Sequence, residues 1–402
     1  MAKSPRIIIL FEDEAAATSE PLTLTRPVWE LRCGIRTLAQ KIQEAFTCIE
    51  VTCCPREHLM RAFGKTFAAI NFNTPDALWI NGALLPGEGF SSALNLKKGS
   101  AWLQNDRIVA FRGAPPKDWK AGTRLPVEGF DKVEAPAGAG KLLRYPWELV
   151  QAMNGENERE ARRLRPLGEI RGDLHRSAVL VNDPDIFVAA GCMIGPGAVI
   201  DASSGPIVLD EAVQVGANAV IEGPTYLGPK VQVKPLTHIR GSCLGEESRV
   251  GGEVSASIIQ GRTNKQHSGF LGHSYIGAWC NLGSGTEISN LKNNYSPVKV
   301  QVGNDLVDTG ELFVGLTMGD HSKTAIGTVF NTGTVVGVGC SIFGAGFPPR
   351  FIPSFHWGGA EKLTRYPLHR TLEIARAVVS RRGQSLTDEE LEILRWVFEH
   401  RS

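Results

Sequence analysis

Residues 215–241 read VGANAVIEGPTYLGPKVQVKPLTHIRG. In this stretch Val215, Ile221, Leu227, Val233 and Ile239 recur every six residues without a break. An amphipathic helix repeats its apolar positions about every 3.6 residues and a half-buried strand every two, so neither accounts for the pattern. A period of six is that of a parallel β-helix, in which each hexapeptide supplies one short strand and one turn. Three such faces close a triangular coil of about 18 residues, with the aliphatic residue pointing into the prism. Pro224, Pro229 and Pro235 fall between the marks, where turns are needed. A glycine-rich β-sandwich spaces its strands more loosely, about 8–12 residues apart, and would not hold phase over five repeats.

The pattern extends both ways. Ile194 and Ile200 form an earlier pair, Phe270, Ile276, Leu282 and Ile288 a later run, and Ile326 and Val338 follow with Thr332 between them. Of 44 glycines, 27 lie in residues 186–346 and 12 in residues 1–165, so the two parts make different backbone demands. Breaks in phase at Asp201–Pro206, at roughly 252–268 and at 289–312 read as insertions, which is where a solenoid collects function. After residue 358 two helices are expected, TRYPLHRTLEIARAVVSRRG and LTDEELEILRWVFEHRS. Thr387 and Glu390 form a capping box for the second, and the pair caps or flanks the end of the coil.

The first part reads differently. A strand over Arg6–Leu10, a helix over Ile35–Phe46, a strand over Ile49–Cys54, a helix in REHLMRAFG stopped by Gly64, and a strand over Ala77–Gly82 make an α/β layer with a parallel sheet. Ligands of such sheets sit at the carboxyl ends of the strands, here the loops after Leu10 and after Ile80. The first loop has no GxGxxG or GxxxxGK[ST] pattern. Arg26 and Arg32 are candidates to grip phosphate there, or else they pair with Glu20 and Glu30. PWELVQAMNGENEREARRLR, residues 146–165, is a connecting helix. The expected organisation is an α/β domain over 1–165, a β-helix over 166–358 and a helical cap over 359–402.

Net charge is +1 with no basic stripe, which argues against nucleic acid or an anionic membrane as partner. No apolar run approaches 18 residues, and the N-terminal IIIL reads as a buried strand. Eight scattered cysteines without a CxxC pair read as free thiols of a cytoplasmic protein.

Two adjacent stretches, NKQHSGFLGHSYIGAWCNLGSGT (264–286) and EISNLKNNY (287–295), resemble the acetyltransferase half of the bacterial bifunctional enzymes that make UDP-N-acetylglucosamine. PLTLTRPVWELRCGI is similar to a divergent group of two-domain sugar nucleotidyltransferase/acetyltransferases. The resemblance implies a left-handed coil behind a nucleotidyltransferase-like domain. It implies acetyl-CoA as co-substrate and an amino-sugar 1-phosphate as acceptor, with a nucleoside triphosphate and Mg²⁺ serving the first domain. It makes His267 the base and places Asn281 and the Ser284 N–H at the acetyl group. Asn290 would close the sugar pocket and Arg240 hold the sugar phosphate. The family tyrosine is Phe270 here and the Asp after Leu-Gly is His273. The expected upstream lysine is missing, so Lys265 or Lys292 substitutes. His273 and His321 read as corner residues, and Cys280 as packing.

In the first domain the family's Gly-rich loop reads FEDEAAATSEP and its metal-binding Asp is Asn81, leaving Asp13, Glu14 or Asp106 to compensate. Three readings follow: a bifunctional enzyme, an acetyltransferase whose first domain binds nucleotide sugar without turnover, and a non-catalytic scaffold. A homotrimer with the site shared between chains is expected, because cyclic packing of prisms lets one chain's loop cover its neighbour's face.

Overall fold

The computed structural model describes residues 5, 7–46, 49–64 and 76–402, so Arg6 and Cys48 lie outside the described residues. Two units emerge: Met1–Leu31, Arg36–Tyr145 and Asp388–Ile393 form one, and Arg32–Ile35, Pro146–Thr387 and Leu394–Ser402 the other.

In the first unit, the apolar run forms β1 (Ile7–Phe11) in the interior of a six-stranded sheet. It lies parallel to β2 (Glu50–Cys54) and to β3 (Leu78–Asn81). Helix α1 (Leu38–Glu44) starts three residues later than the apolar spacing suggests. Thr37 accepts from the Gln40 N–H and the Gln40 amide accepts from the Thr37 N–H, a capping box that fixes the first turn. The expected helix in REHLMRAFG is one 3₁₀ turn, Glu57–Leu59, and one α turn, Met60–Phe63, ending at Gly64.

The sheet is mixed rather than parallel. β4 (Ser100–Gln104) and β5 (Arg107–Arg112) form a hairpin, and β5 runs antiparallel to β3. β6 (Asp131–Glu134) completes the order β2-β1-β3-β5-β4-β6. The hairpin turns on Asn105 and Asp106, both at positive φ, the conformation a two-residue type I′ turn requires. Its core stacks Trp79 on Phe111, with Phe11 edge-on to Phe111.

In the second unit, helix α2 (Pro146–Leu164) precedes a three-faced parallel coil that starts at Asp173. The first face stacks strands from Asp173–Leu174 to Asn264–Lys265. The second runs from Val179–Val181 to Phe270–Gly272. The third carries nine strands, from Ile186–Val188 to Phe351–Ile352. Val215, Ile221, Leu227, Val233 and Ile239 all point inward and are buried, as the period demands. Each such side chain stabilises the coil by about 1.5–3 kcal/mol relative to exposure.

The later phase readings need two corrections. Leu271 rather than Phe270 is the buried residue of its strand. Ile326 is 79% exposed, and the inward series there is Met318, Thr324, Phe330, Val336, Ile342. Ile326 sits in the turn two residues past inward Thr324. Met318 follows Ile288 by 30 residues, five full periods, so the loop at 289–312 returns to the coil in phase.

That loop is an excursion, with β7 (Lys299–Val302) and β8 (Asp305–Asp308) paired antiparallel. The extension at Asp201–Pro206 is also present, since nine residues separate inward Ile200 from Leu209 where six separate Ile221 from Leu227. The break at 252–268 is the opposite of an insertion. Coils shorten there from 18 residues (Val215 to Val233) to 17 (Val233 to Val250) and 15 (Val250 to Lys265). Missing corner residues shift the phase as effectively as added ones.

Leu363–Arg365 pairs antiparallel with His356–Gly358, so strand structure continues beyond residue 358. Helix α3 (Leu368–Ser380) and helix α4 (Asp388–Arg401) follow. Val378 and Val379 of α3 pack with Leu386 on Ala278 and Trp279, so this segment lies along a side of the coil.

Candidate active site

The edge between the second and third faces brings two of the expected residues, Arg240 and Asn290, beside His273 and Phe313. Arg240, Ser255 and Gly272 are neighbours in successive strands of the second face. Arg240 projects outward and its Nη2 donates to Ser255 Oγ at 3.3 Å. The next corner is His273, held at positive φ. Its Nδ1 lies 2.9 Å from Asn290 Nδ2, and its ring stacks on Phe313 at 5.0 Å. Gly272 makes room for this, since a Cβ there would sit 2.5 Å from the Asn290 amide nitrogen. Phe313 is delivered by the excursion, whose base is closed by a bridge between Leu291 and Phe313.

An amide nitrogen only donates, so Asn290 makes His273 Nδ1 an acceptor and leaves the ring proton on Nε2. Burial, and then the charge of Arg240, push the His273 imidazole below its ordinary value. His273 is therefore a neutral N–H donor at neutral pH and takes up a second proton only in more acidic solution. Arg240→Ala removes one of the two causes. The His273 titration, followed by NMR, is expected to move to higher pH; an unmoved or lowered titration would separate Arg240 from this group.

His267 and Ser284 stand on the other edge of the second face. They occupy equivalent corner positions in successive coils, and the Gly285 N–H donates to the Ser268 carbonyl at 3.0 Å. His267 is exposed and its ring has no hydrogen bond among the described residues. Pro196 and Pro235 hold the matching corner position in lower coils, where no N–H is needed. At Ser284 the N–H is present and donates to no acceptor among the described residues. Asn281 lies on the first face, bridged to Asn264 and Lys323, away from the Asn290 group.

The two lysines are otherwise engaged. Lys265 is buried in the coil, its Nζ hydrogen-bonded to three backbone carbonyls, and burial pushes its ammonium down to about 8. Lys292 Nζ donates to Ser296 Oγ and the Pro297 carbonyl inside the excursion. Cys280 is buried and its thiol pushed up to about 12, too high for a nucleophile at neutral pH. None of the described cysteines is in a disulfide.

The residues assigned to the first domain are placed as follows. Arg32 belongs to the second unit. Its N–H donates to Tyr275 Oη at 2.8 Å, and its guanidinium to the Ile35 carbonyl and to Glu246. Its ion partner is Glu246 rather than Glu20 or Glu30, and the side chain is buried against the coil. Arg26 is half-buried, with its carbonyl accepting from Arg56. Asn81 is fully buried, donating to Asp13 and the Ile108 carbonyl and accepting from the Ala83 N–H. Asp13 meets Arg107 in a two-pronged ion pair, with contacts of 2.8 to 3.1 Å. Glu12, also buried, is held by Arg56 at 3.1 Å.

These side chains do not fit Mg²⁺, which asks for open carboxylate oxygens. Asp13 already has a cation, and the cavity it shares with Glu14, Asp106 and Arg124 measures only about 10 Å³. No group of three His, Cys, Asp or Glu among the described residues converges as a metal site needs. None of the described helices is long and apolar enough to cross a membrane.

His273 and Phe313 are what sequence reasoning missed. His273 stood inside the recognised motif in place of an acid, a substitution that signals a changed contact. Phe313 lies 40 residues downstream, and only the excursion's closure brings it back.

Residues 8–165 match the sugar nucleotidyl transferase family. Among similar proteins is the bifunctional protein GlmU of Methanocaldococcus jannaschii, 39% identical over 117 residues, covering 29% of this chain and 27% of that one. Another is the bifunctional sugar-1-phosphate nucleotidylyltransferase/acetyltransferase of Sulfurisphaera tokodaii, 29% identical over 142 residues, covering 35% of each chain. The matches thus span about a third or less of these relatives. A solved UDP-N-acetylglucosamine acyltransferase of Francisella novicida aligns with 56% of this chain and 78% of its own. Its identity is 16% and its TM-score 0.25, too slight a likeness to argue from.

Proposed function

We propose, for a chain that belongs to the bifunctional sugar nucleotidyltransferase/acetyltransferase family, that it is a cytoplasmic enzyme N-acetylating an amino-sugar 1-phosphate from acetyl-CoA and coupling this to nucleotidyl transfer. The observation that carries the acetyl-transfer half is the corner set Arg240, His273, Asn290 and Phe313. It offers a cation, a neutral N–H donor, an amide and an aromatic wall side by side. Arg240 suits a sugar phosphate, and the His273 N–H a sugar oxygen. His267 takes the proton from the attacking amine, and the spare Ser284 N–H meets the oxyanion that develops on the thioester carbon. The amine attacks directly, so no acyl-enzyme forms.

This reading calls for a homotrimer with a shared site, because the two sets stand on opposite edges of one face. The strand between them, Phe270–Gly272, spans about 10 Å. Side-by-side packing would carry the His267 edge of one chain to the Asn290 edge of the next. The His267 edge also exposes Leu236 (76%) and Ile326 (79%), apolar side chains suited to cover by a neighbour. Light scattering should give a mass near three times 43.5 kDa, and a stable mass of 43.5 kDa would remove the trimer.

One observation favours a second reading, in which the first unit binds nucleotide sugar without turnover: Arg107 already neutralises Asp13. Both are tested with purified protein, amino-sugar 1-phosphates, acetyl-CoA and nucleoside triphosphates, reading CoA and pyrophosphate release separately. Release of both supports coupled transfer, and CoA release alone selects the second reading. Release of neither leaves only a scaffold.

A further inference from the structure

Across the edge that carries His267, six residues separate inward Val233 from Ile239, Lys265 from Leu271, and Leu282 from Ile288. Only four separate Val250 from Val254. The turn Gly251–Gly252, directly beneath the His267 corner, is therefore two residues short. It is packed hard against that corner. A Cβ on Gly251 would run into the Gln266 carbonyl, and one on Gly252 would lie 3.0 Å from the His267 oxygen.

In three other coils of this edge a threonine hydroxyl closes the turn, while Ala178, Ala198 and Ala219 hold the equivalent position in the lowest coils. Thr237 donates to the Lys234 carbonyl at 2.6 Å, Thr286 to Gly283 at 2.7 Å and Thr328 to Ala325 at 2.9 Å. The equivalent residue in the His267 corner is Gly269, at φ +121°, where a Cβ would collide with the Thr286 carbonyl. No threonine fits. Lys265 takes over from inside the prism, where the same column holds Val215, Val233, Val250 and Leu282. Its Nζ donates to Gly269 O at 2.6 Å, to Gly251 O at 2.7 Å and to His267 O at 3.3 Å. An ammonium has three donors, and each has its acceptor. A lysine in an aliphatic column is otherwise unfavourable, so these three bonds are what make the position tolerable.

We infer that Lys265 is a positioning residue: its buried ammonium ties the short Gly251–Gly252 turn to the corner above and so fixes the backbone from which His267 projects. Its effect on rate rests on the reading of His267 as base; the tie itself does not.

The test is Lys265→Met, which keeps the length and apolar stem and removes the donors. Two amides report the corner: Glu253 N–H, bonded to Gly269 O, and Gly285 N–H, bonded to Ser268 O. In the variant both should exchange with solvent about tenfold faster relative to Leu236 N–H, which closes a lower corner of the same edge. The rate constant for CoA release should fall about 10- to 100-fold with little change in KM, since a misplaced base loses rate rather than binding. Lys265→Gln, which keeps two donors, should recover part of both. Unchanged exchange ratios in folded Lys265→Met overturn the proposal. Should wild type release no CoA, the reading of the site fails while exchange still decides the tie. Should neither variant fold, Lys265 is a requirement of the whole coil and the positioning role is refuted.

Discussion

Replacing His267 by Ala is expected to lower CoA release by about 10²–10⁴-fold, the usual contribution of a general base. Pyrophosphate release should be unaffected, because His267 lies in the second unit and the nucleotidyl transferase match ends at residue 165. The fold should survive. His267 is exposed on a coil corner and its ring makes no hydrogen bond among the described residues, so the substitution opens no cavity. His273→Ala provides the contrast. It removes a donor to substrate along with the Asn290 and Phe313 contacts, so KM for the sugar should rise more than kcat falls. If His267→Ala keeps wild-type CoA release while His273→Ala abolishes it, the base has been placed on the wrong edge. Mixing His267→Ala chains with Asn290→Ala chains should restore part of the activity if the two edges meet between copies. No recovery in verified mixed trimers would confine the site to one chain.

The second large effect concerns the first unit. Arg107→Ala is expected to destabilise it by about 3–5 kcal/mol, the loss typical of removing one partner from a buried ion pair. Asp13 is 5% exposed and Arg107 14%, so water would replace the lost guanidinium poorly. Denaturant unfolding of the full chain reads this as a lower midpoint of the transition reported by tryptophan fluorescence, Trp79 being at the centre of this core. The same variant examines the role of the ion pair. With Arg107 gone, Asp13 and Asn81 face a site with no cation, and added Mg²⁺ should recover part of the lost stability. A variant as stable as wild type would show that the pair is dispensable. Loss of stability without any response to Mg²⁺ would mean that Arg107 serves packing alone.

How much of this could be read from the chain depended on how far apart the interacting residues lie. The β-helix was legible because its signal is local: one inward aliphatic residue every six positions, repeated while the corners keep their length. The same rule misled wherever a corner lost residues. A phase break at 252–268 looks identical in sequence whether residues are added or removed, and only the strand register showed coils of 17 and 15 residues. The capping box at Thr37 was likewise present in the residues, but the apolar spacing around it drew the helix too long.

By itself, then, the sequence determined the coil, its excursion after Ile288 and the grouping of His267, Ser284 and Asn290 within one short motif. Tertiary structure decided what those residues can do. It sent Arg32 into the coil unit to meet Glu246 and Tyr275, more than 200 positions away. It buried Lys265 and returned Phe313 to the side of His273. It also gave Asp13 to Arg107 before any metal could claim it. The physical reason is common to all four. Periodicity records which side chains must leave water, whereas the partner of a charge or a ring is chosen by proximity in the folded chain, which no spacing along the sequence encodes.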